Sequence, residues 1–117
     1  LTQMAKVMSH IQKHFRERIR MEELAIIASL SISQLQRKFK QTYNATPVQF
    51  INKLRIHEAC ELLKDLNYSL TDIAYHCGYG SSSFFSTQFK NQLNESPSSY
   101  RTRLSVTKPY DRHKNHL

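Results

Sequence analysis

The residues with the most evident chemistry stand on one short stretch. Ser33, Gln36, Arg37 and Lys40 follow the spacing of a single helix face. With Leu35 placed at zero and about 100° per residue, they fall at roughly 160°, 100°, 200° and 140°, opposite the apolar pair Leu35 and Phe39. An arginine fork matches guanine O6 and N7, and a glutamine can bridge adenine N6 and N7. Lys40 and its neighbour Lys38 suit phosphate. Ser31 is a good N-cap, and the helix start behind it offers N–H groups to an anion. Such a stripe has the chemistry to read base-pair edges, although taken alone it also fits an ordinary solvated helix face.

A later stretch repeats the construction with weaker groups. Around Phe85 and Phe89 the outward positions are Ser83, Ser86, Thr87 and Lys90. Hydroxyls both donate and accept, so they discriminate bases poorly. The first stretch is therefore expected to carry most of any sequence reading. The second is expected to add phosphate contacts from Ser81 and Lys90, thymine-methyl contacts and shape reading.

Other chemistries find less support. No Ser/His/Asp or Cys/His arrangement stands at catalytic spacing, so no enzyme activity is expected. Neither GxGxxG nor GxxxxGK[ST] occurs, and the 117 residues include only 2 glycines. His57 and Cys60 share a helix face, and His76 adjoins Cys77. Both cysteines fit plain core positions, so no metal and no cofactor is expected. With no secretory signal, they read as reduced cytosolic thiols. The longest apolar run, from Leu24 to Ala28, is far too short to span a membrane.

The net charge of +8 points to a polyanionic partner, nucleic acid ahead of a membrane surface. It is unevenly placed. Residues 1–46 carry eight basic and three acidic side chains, whereas residues 66–104 carry three and two.

Helical periodicity and stop signals supply the elements that position these groups. Met4, Val7, Met8, Ile11 and Phe15 form one stripe on a helix over residues 2–16. A short helix follows from Met21, started by the poor cap Arg20, with Leu24, Ile27 and Ala28 inward. The helix carrying Arg37 runs from Ser31 to about Thr42. Asn44, Thr46 and Pro47 then combine a left-handed stop with a capped restart. A long helix over 47–66 carries apolar residues on more than one face and so needs partners on two sides. Ser69 and Ser81 cap two further helices, ending near Cys77 and Leu93. Asn94, Ser96 and Pro97 repeat the stop and restart, and a last helix reaches about Leu104. The expected organisation is all-α, with about seven helices. It comprises a first helix-turn-helix subdomain over 1–46, a connecting helix over 47–66, a second subdomain over 67–104 and a flexible tail over 105–117.

The two halves are copies of one pattern. At an offset of 50, Leu35 matches Phe85, Phe39-Lys40 matches Phe89-Lys90, Asn44 matches Asn94, Thr46-Pro47 matches Ser96-Pro97 and Phe50 matches Tyr100. Earlier, Leu24-Ala25 matches Ile73-Ala74 at an offset of 49, so one extra residue lies near Gly80. Short helix, tight turn and longer helix make a helix-turn-helix unit.

Asp72-Ile73-Ala74, Gly78-Tyr79, Ser83-Phe84-Phe85-Ser86, Phe89-Lys90, Ser96-Pro97 and Tyr100-Arg101 closely resemble the signature of the AraC/XylS family of bacterial transcription regulators. In the first half Glu23-Leu24-Ala25, Ser31, Leu35, Arg37, Phe39-Lys40, Thr46-Pro47 and Leu54-Arg55 extend the resemblance, which covers residues 4–104. It implies two helix-turn-helix subdomains joined by a long helix, with recognition helices in successive major grooves roughly 34 Å apart. It places Ser33, Gln36 and Arg37 on bases of one groove and Ser82, Ser83, Ser86 and Thr87 on bases of the next. It also implies double-stranded DNA and RNA polymerase as partners, activation of transcription, and a place at the bacterial nucleoid in the cytoplasm. Effector sensing and dimerisation would belong to a separate domain. A chain that begins with Leu1 rather than Met reads as a piece of a longer protein, or as a processed one. Three positions depart from the family: Thr87 replaces the usual arginine, Asn44 and Asn94 replace glycines, and Arg20 replaces a small polar cap. The rival expectation is a helical module that binds nucleic acid without sequence preference.

Overall fold

The computed structural model describes residues 2–114, with side chains through residue 105. Among them are seven helices and no strand: α1 (Gln3–His14), α2 (Met21–Ala28), α3 (Ile32–Tyr43), α4 (Pro47–Leu62), α5 (Leu70–His76), α6 (Ser82–Leu93) and α7 (Pro97–Lys114). The chain divides into two units, Leu1–Arg55 and Ile56–Leu117. The all-α expectation and its helix-turn-helix pairs, α2–α3 and α5–α6, are observed.

In the first unit the stripe of α1 closes on α2 and α3. Val7, Ile11, Leu24, Ala28, Leu35 and Phe39 have no solvent exposure, and Met4, Phe15 and Ile51 are nearly as buried. Each such large side chain contributes about 1.5–3 kcal/mol by leaving water. Polar contacts fix the helix ends: Gln3 Nε2 donates to the Ala28 carbonyl at 2.7 Å and the Tyr43 hydroxyl to the Met4 carbonyl at 3.2 Å. Helix α2 starts at Met21 despite its cap. The Glu23 carboxylate accepts from the Arg20 N–H at 3.1 Å, which satisfies the helix entry from the opposite side.

The second unit reuses the plan around Ala59, Ile73, Ala74, Cys77, Phe85 and Phe89, all without exposure. The copied aromatics keep their geometry. Phe39 meets Phe50 edge-on at 6.1 Å and 79°, and Phe89 meets Tyr100 at 5.5 Å and 77°. Helix α4 runs from the first unit into the second, with Phe50, Ile51 and Leu54 in the first core and Ile56 and Ala59 in the second, joined by Leu63 just past the helix end. Its several apolar faces follow from that.

Two helix ends differ from the sequence reading. Helix α4 stops at Leu62, not near Leu66, because the next carbonyls bond elsewhere. Arg101 donates to the carbonyls of Leu63 and Asp65, both at 3.1 Å. Helix α7 continues to Lys114, past the end expected near Leu104 and into the stretch expected as a flexible tail over 105–117; residues 115–117 lie outside the described ones. The sequence from 105 onward carries no apolar period from which a helix could be read. No glycine or asparagine stands between Pro97 and Lys114, and Pro109, which reads as a breaker, lies within the helix.

Candidate nucleic-acid interface

The geometry of the interface begins at the turns. After α2, Ser29 takes a left-handed conformation at φ 56°; its N–H donates to the Ile26 carbonyl at 3.1 Å and the Leu30 N–H to the Ala25 carbonyl at 3.0 Å. After α5, Gly78 takes the same role at φ 103°; its N–H donates to Tyr75 and the Tyr79 N–H to Ala74, at 3.1 and 3.0 Å. Both are Schellman closures, each followed by an apolar residue that packs down. The first turn then passes directly to Ser31, the second through Gly80 to Ser81. Gly80 is the extra residue, and a Cβ built there meets nothing within 4 Å.

These closures aim α3 and α6. The Ser31 hydroxyl accepts from the Gln34 N–H at 3.1 Å and the Gln34 side chain accepts from the Ser31 N–H at 3.0 Å, a reciprocal cap. Beyond it, Ser33, Gln36, Arg37, Lys38 and Lys40 are all exposed, while Leu35 and Phe39 are buried. The side chains of Ser33, Gln36, Arg37 and Lys40 make no hydrogen bond or ion pair among the described residues, so their donors and acceptors face solvent. A duplex edge could take them without breaking an internal contact.

Helix α6 presents less. Ser83, Thr87 and Lys90 are exposed, but Ser81, Ser82 and Ser86 are half-buried. Ser81 is held by its cap, accepting from the Phe84 N–H at 3.1 Å. The Thr87 hydroxyl donates to the Ser83 carbonyl at 3.2 Å, so it has only acceptor capacity and its methyl group left to offer. Phe84 stands exposed beside this stripe at 54%.

Several supporting groups were given no role by the sequence, although Arg55 and Arg101 stand among the residues that carry the family resemblance. Arg55 Nε and Nη2 donate to the Phe15 and Glu17 carbonyls at 2.7 and 2.8 Å, closing the end of α1 as Arg101 closes the end of α4. These arginines stand one helical turn apart in repeat register, so an offset of 50 does not align them. His10 Nε2 lies 2.8 Å from Glu23. The Arg20 N–H first, and His10 second, hold the Glu23 carboxyl below the usual carboxylate range.

Two of the residues weighed for metal or thiol chemistry have other partners. His76 lies 3.4 Å from Glu58, and Cys60, hydrogen-bonded to Tyr100, is pushed up by burial. No group of three or more His, Cys, Asp or Glu converges among the described residues, and no helix there is long and apolar enough to cross a membrane.

Comparison with known proteins agrees with this geometry. A helix-turn-helix domain model matches residues 24–103. The transcriptional activator RhaS of Enterobacter sp. (strain 638) is 40% identical over 96 residues, covering 82% of this chain and 34% of RhaS; the chain thus spans about a third of that relative's length. The DNA-binding domain of AdpA, a global transcriptional factor solved in complex with a target DNA, superposes with a TM-score of 0.86 at 28% identity, covering 93% of this chain and 98% of that one. The C-terminal domain of AraT, a response regulator from Geobacillus stearothermophilus, gives a TM-score of 0.81 at 30% identity, with 86% and 84% covered. The two Schellman turns, the repeated caps and the matched family model together place this chain in the AraC-type family of helix-turn-helix DNA-binding domains.

Proposed function

We propose that the chain binds duplex DNA sequence-specifically, as the DNA-binding part of a bacterial transcription activator. Helices α3 and α6 enter successive major grooves. Ser33, Gln36 and Arg37 contact bases in one, and Ser82, Ser83, Ser86 and Thr87 in the other. Ser31, Lys38, Lys40, Ser81 and Lys90 hold phosphates. RNA polymerase is the second partner, and effector sensing and dimerisation belong to parts of a longer protein. The protein acts in the cytoplasm.

The observation that carries this reading is the free outward stripe of α3, opposite its buried Leu35 and Phe39. Selection from random duplex DNA, read by sequencing, tests it. A two-part site is the expected product, with the half facing α3 the more sharply defined. Arg37→Ala is expected to cost about 1–3 kcal/mol in affinity and to relax preference at one base pair. Competition by random duplex as effective as competition by the selected site would overturn the reading in favour of nonspecific binding.

A further inference from the structure

Phe84 is a large apolar side chain placed where the fold has no use for it. It is 54% exposed, at the third position of α6. The matching position of α3 holds Gln34, whose side chain completes the reciprocal cap with Ser31. A phenyl ring cannot accept that bond, so the cap of α6 is one-sided: Ser81 serves the Phe84 N–H, and among the described residues no side chain returns to Ser81. The second repeat thus forgoes half a cap and exposes an aromatic ring. The ring is nonetheless positioned, because it rests 6.0 Å from the ring of buried Tyr79 at 59°.

Its surroundings narrow what it can meet. The neighbouring Ser83 is short and Thr87 has its hydroxyl proton committed, so their base contacts discriminate weakly. An apolar group near the N-terminal end of a recognition helix contacts one feature of base-pair edges, the C5-methyl of thymine. Resting on the DNA-binding reading above, we propose that Phe84 is a specificity-determining residue. Its ring covers a thymine methyl in the half-site of α6, giving that helix the selectivity its hydroxyls lack.

The test uses the selected site and the Phe84→Gln variant. Glutamine is the residue the first repeat carries there, so F84Q can restore the reciprocal cap and is expected to melt no lower than the wild type. Each thymine of the second half-site is replaced in turn by deoxyuridine, which removes only the methyl. At one position the wild type is expected to lose about fourfold in affinity, the weight of one buried methyl-sized group. F84Q is expected to be indifferent to the same replacement. A selected site bound tightly, but with deoxyuridine profiles identical in the two proteins or no thymine required opposite α6, would overturn the assignment of Phe84 and leave DNA binding intact. Absence of any selected site would remove both.

Discussion

At the residue scale, Glu23 joins sequence, fold and pH. It caps α2 from inside because Arg20 cannot cap it from outside, and it also holds His10. Its carboxyl lies below the ordinary carboxylate range. A depressed value in the folded state means the carboxylate stabilises the fold above the ordinary value, and this support is lost as pH falls through the lowered one. Glu23→Gln is therefore expected to lower stability at neutral pH, by at most about 1 kcal/mol because the pair is partly exposed. Thermal melts of both proteins should converge as the pH is lowered past Glu23's own titration; a constant difference would assign the effect to packing instead. The poor cap at Arg20 and its remedy are both local, since Glu23 stands three residues on, where a carboxylate can return to the N-cap N–H; what sequence does not reveal is His10, thirteen residues from Glu23, which meets it only through the α1–α2 packing. Phe84 was overlooked for a similar reason. As part of an aromatic pair with Phe85 it looks like core, and only the phase of α6 separates the buried ring from the exposed one.

At the scale of elements, the repeat was legible because its punctuation is chemical. Ser31, Ser69 and Ser81 accept the N–H bonds their positions require, and Asn44 and Asn94 take left-handed φ values of 58° and 63°. Stop signals without such residues were missed. Helix α4 ends just before the Leu63 and Asp65 carbonyls that Arg101 captures, and α7 continues without a periodic stripe in its sequence. The same chemistry ranks the turn residues. Ser29 occupies a left-handed position with a Cβ, so Ser29→Gly is expected to raise stability by about 1 kcal/mol. Gly78→Ala should cost about 1–2 kcal/mol for the converse reason. Gly80 has open space around it, so Gly80→Ala is expected to be neutral or to stabilise by up to about 1 kcal/mol through the unfolded chain. Urea titrations of the three variants would check this order. Equal costs at Gly78 and Gly80 would contradict the Schellman assignment.

At the scale of the whole molecule, charge and reading chemistry coincide. Residues 1–46 hold the larger basic excess and the stripe of α3. Scrambling the half-site opposite α3 is expected to abolish selective binding, and scrambling the other half to weaken it. Lys40→Ala should reduce affinity alike for all sequences and lower the slope of log affinity against log salt by about 1, measured by titration at several salt concentrations. Arg55 and Arg101 stand apart from this arithmetic. Their guanidinium groups face the carbonyl ends of α1 and α4, where they complement helix dipoles and hold charge-assisted hydrogen bonds. Net charge read from composition therefore conflates two populations of arginine. One faces outward and sets how strongly a polyanion is attracted; the other is part of the skeleton. A chain of identical composition with these two arginines turned outward would offer DNA more free guanidinium groups, yet have less structure to hold it with.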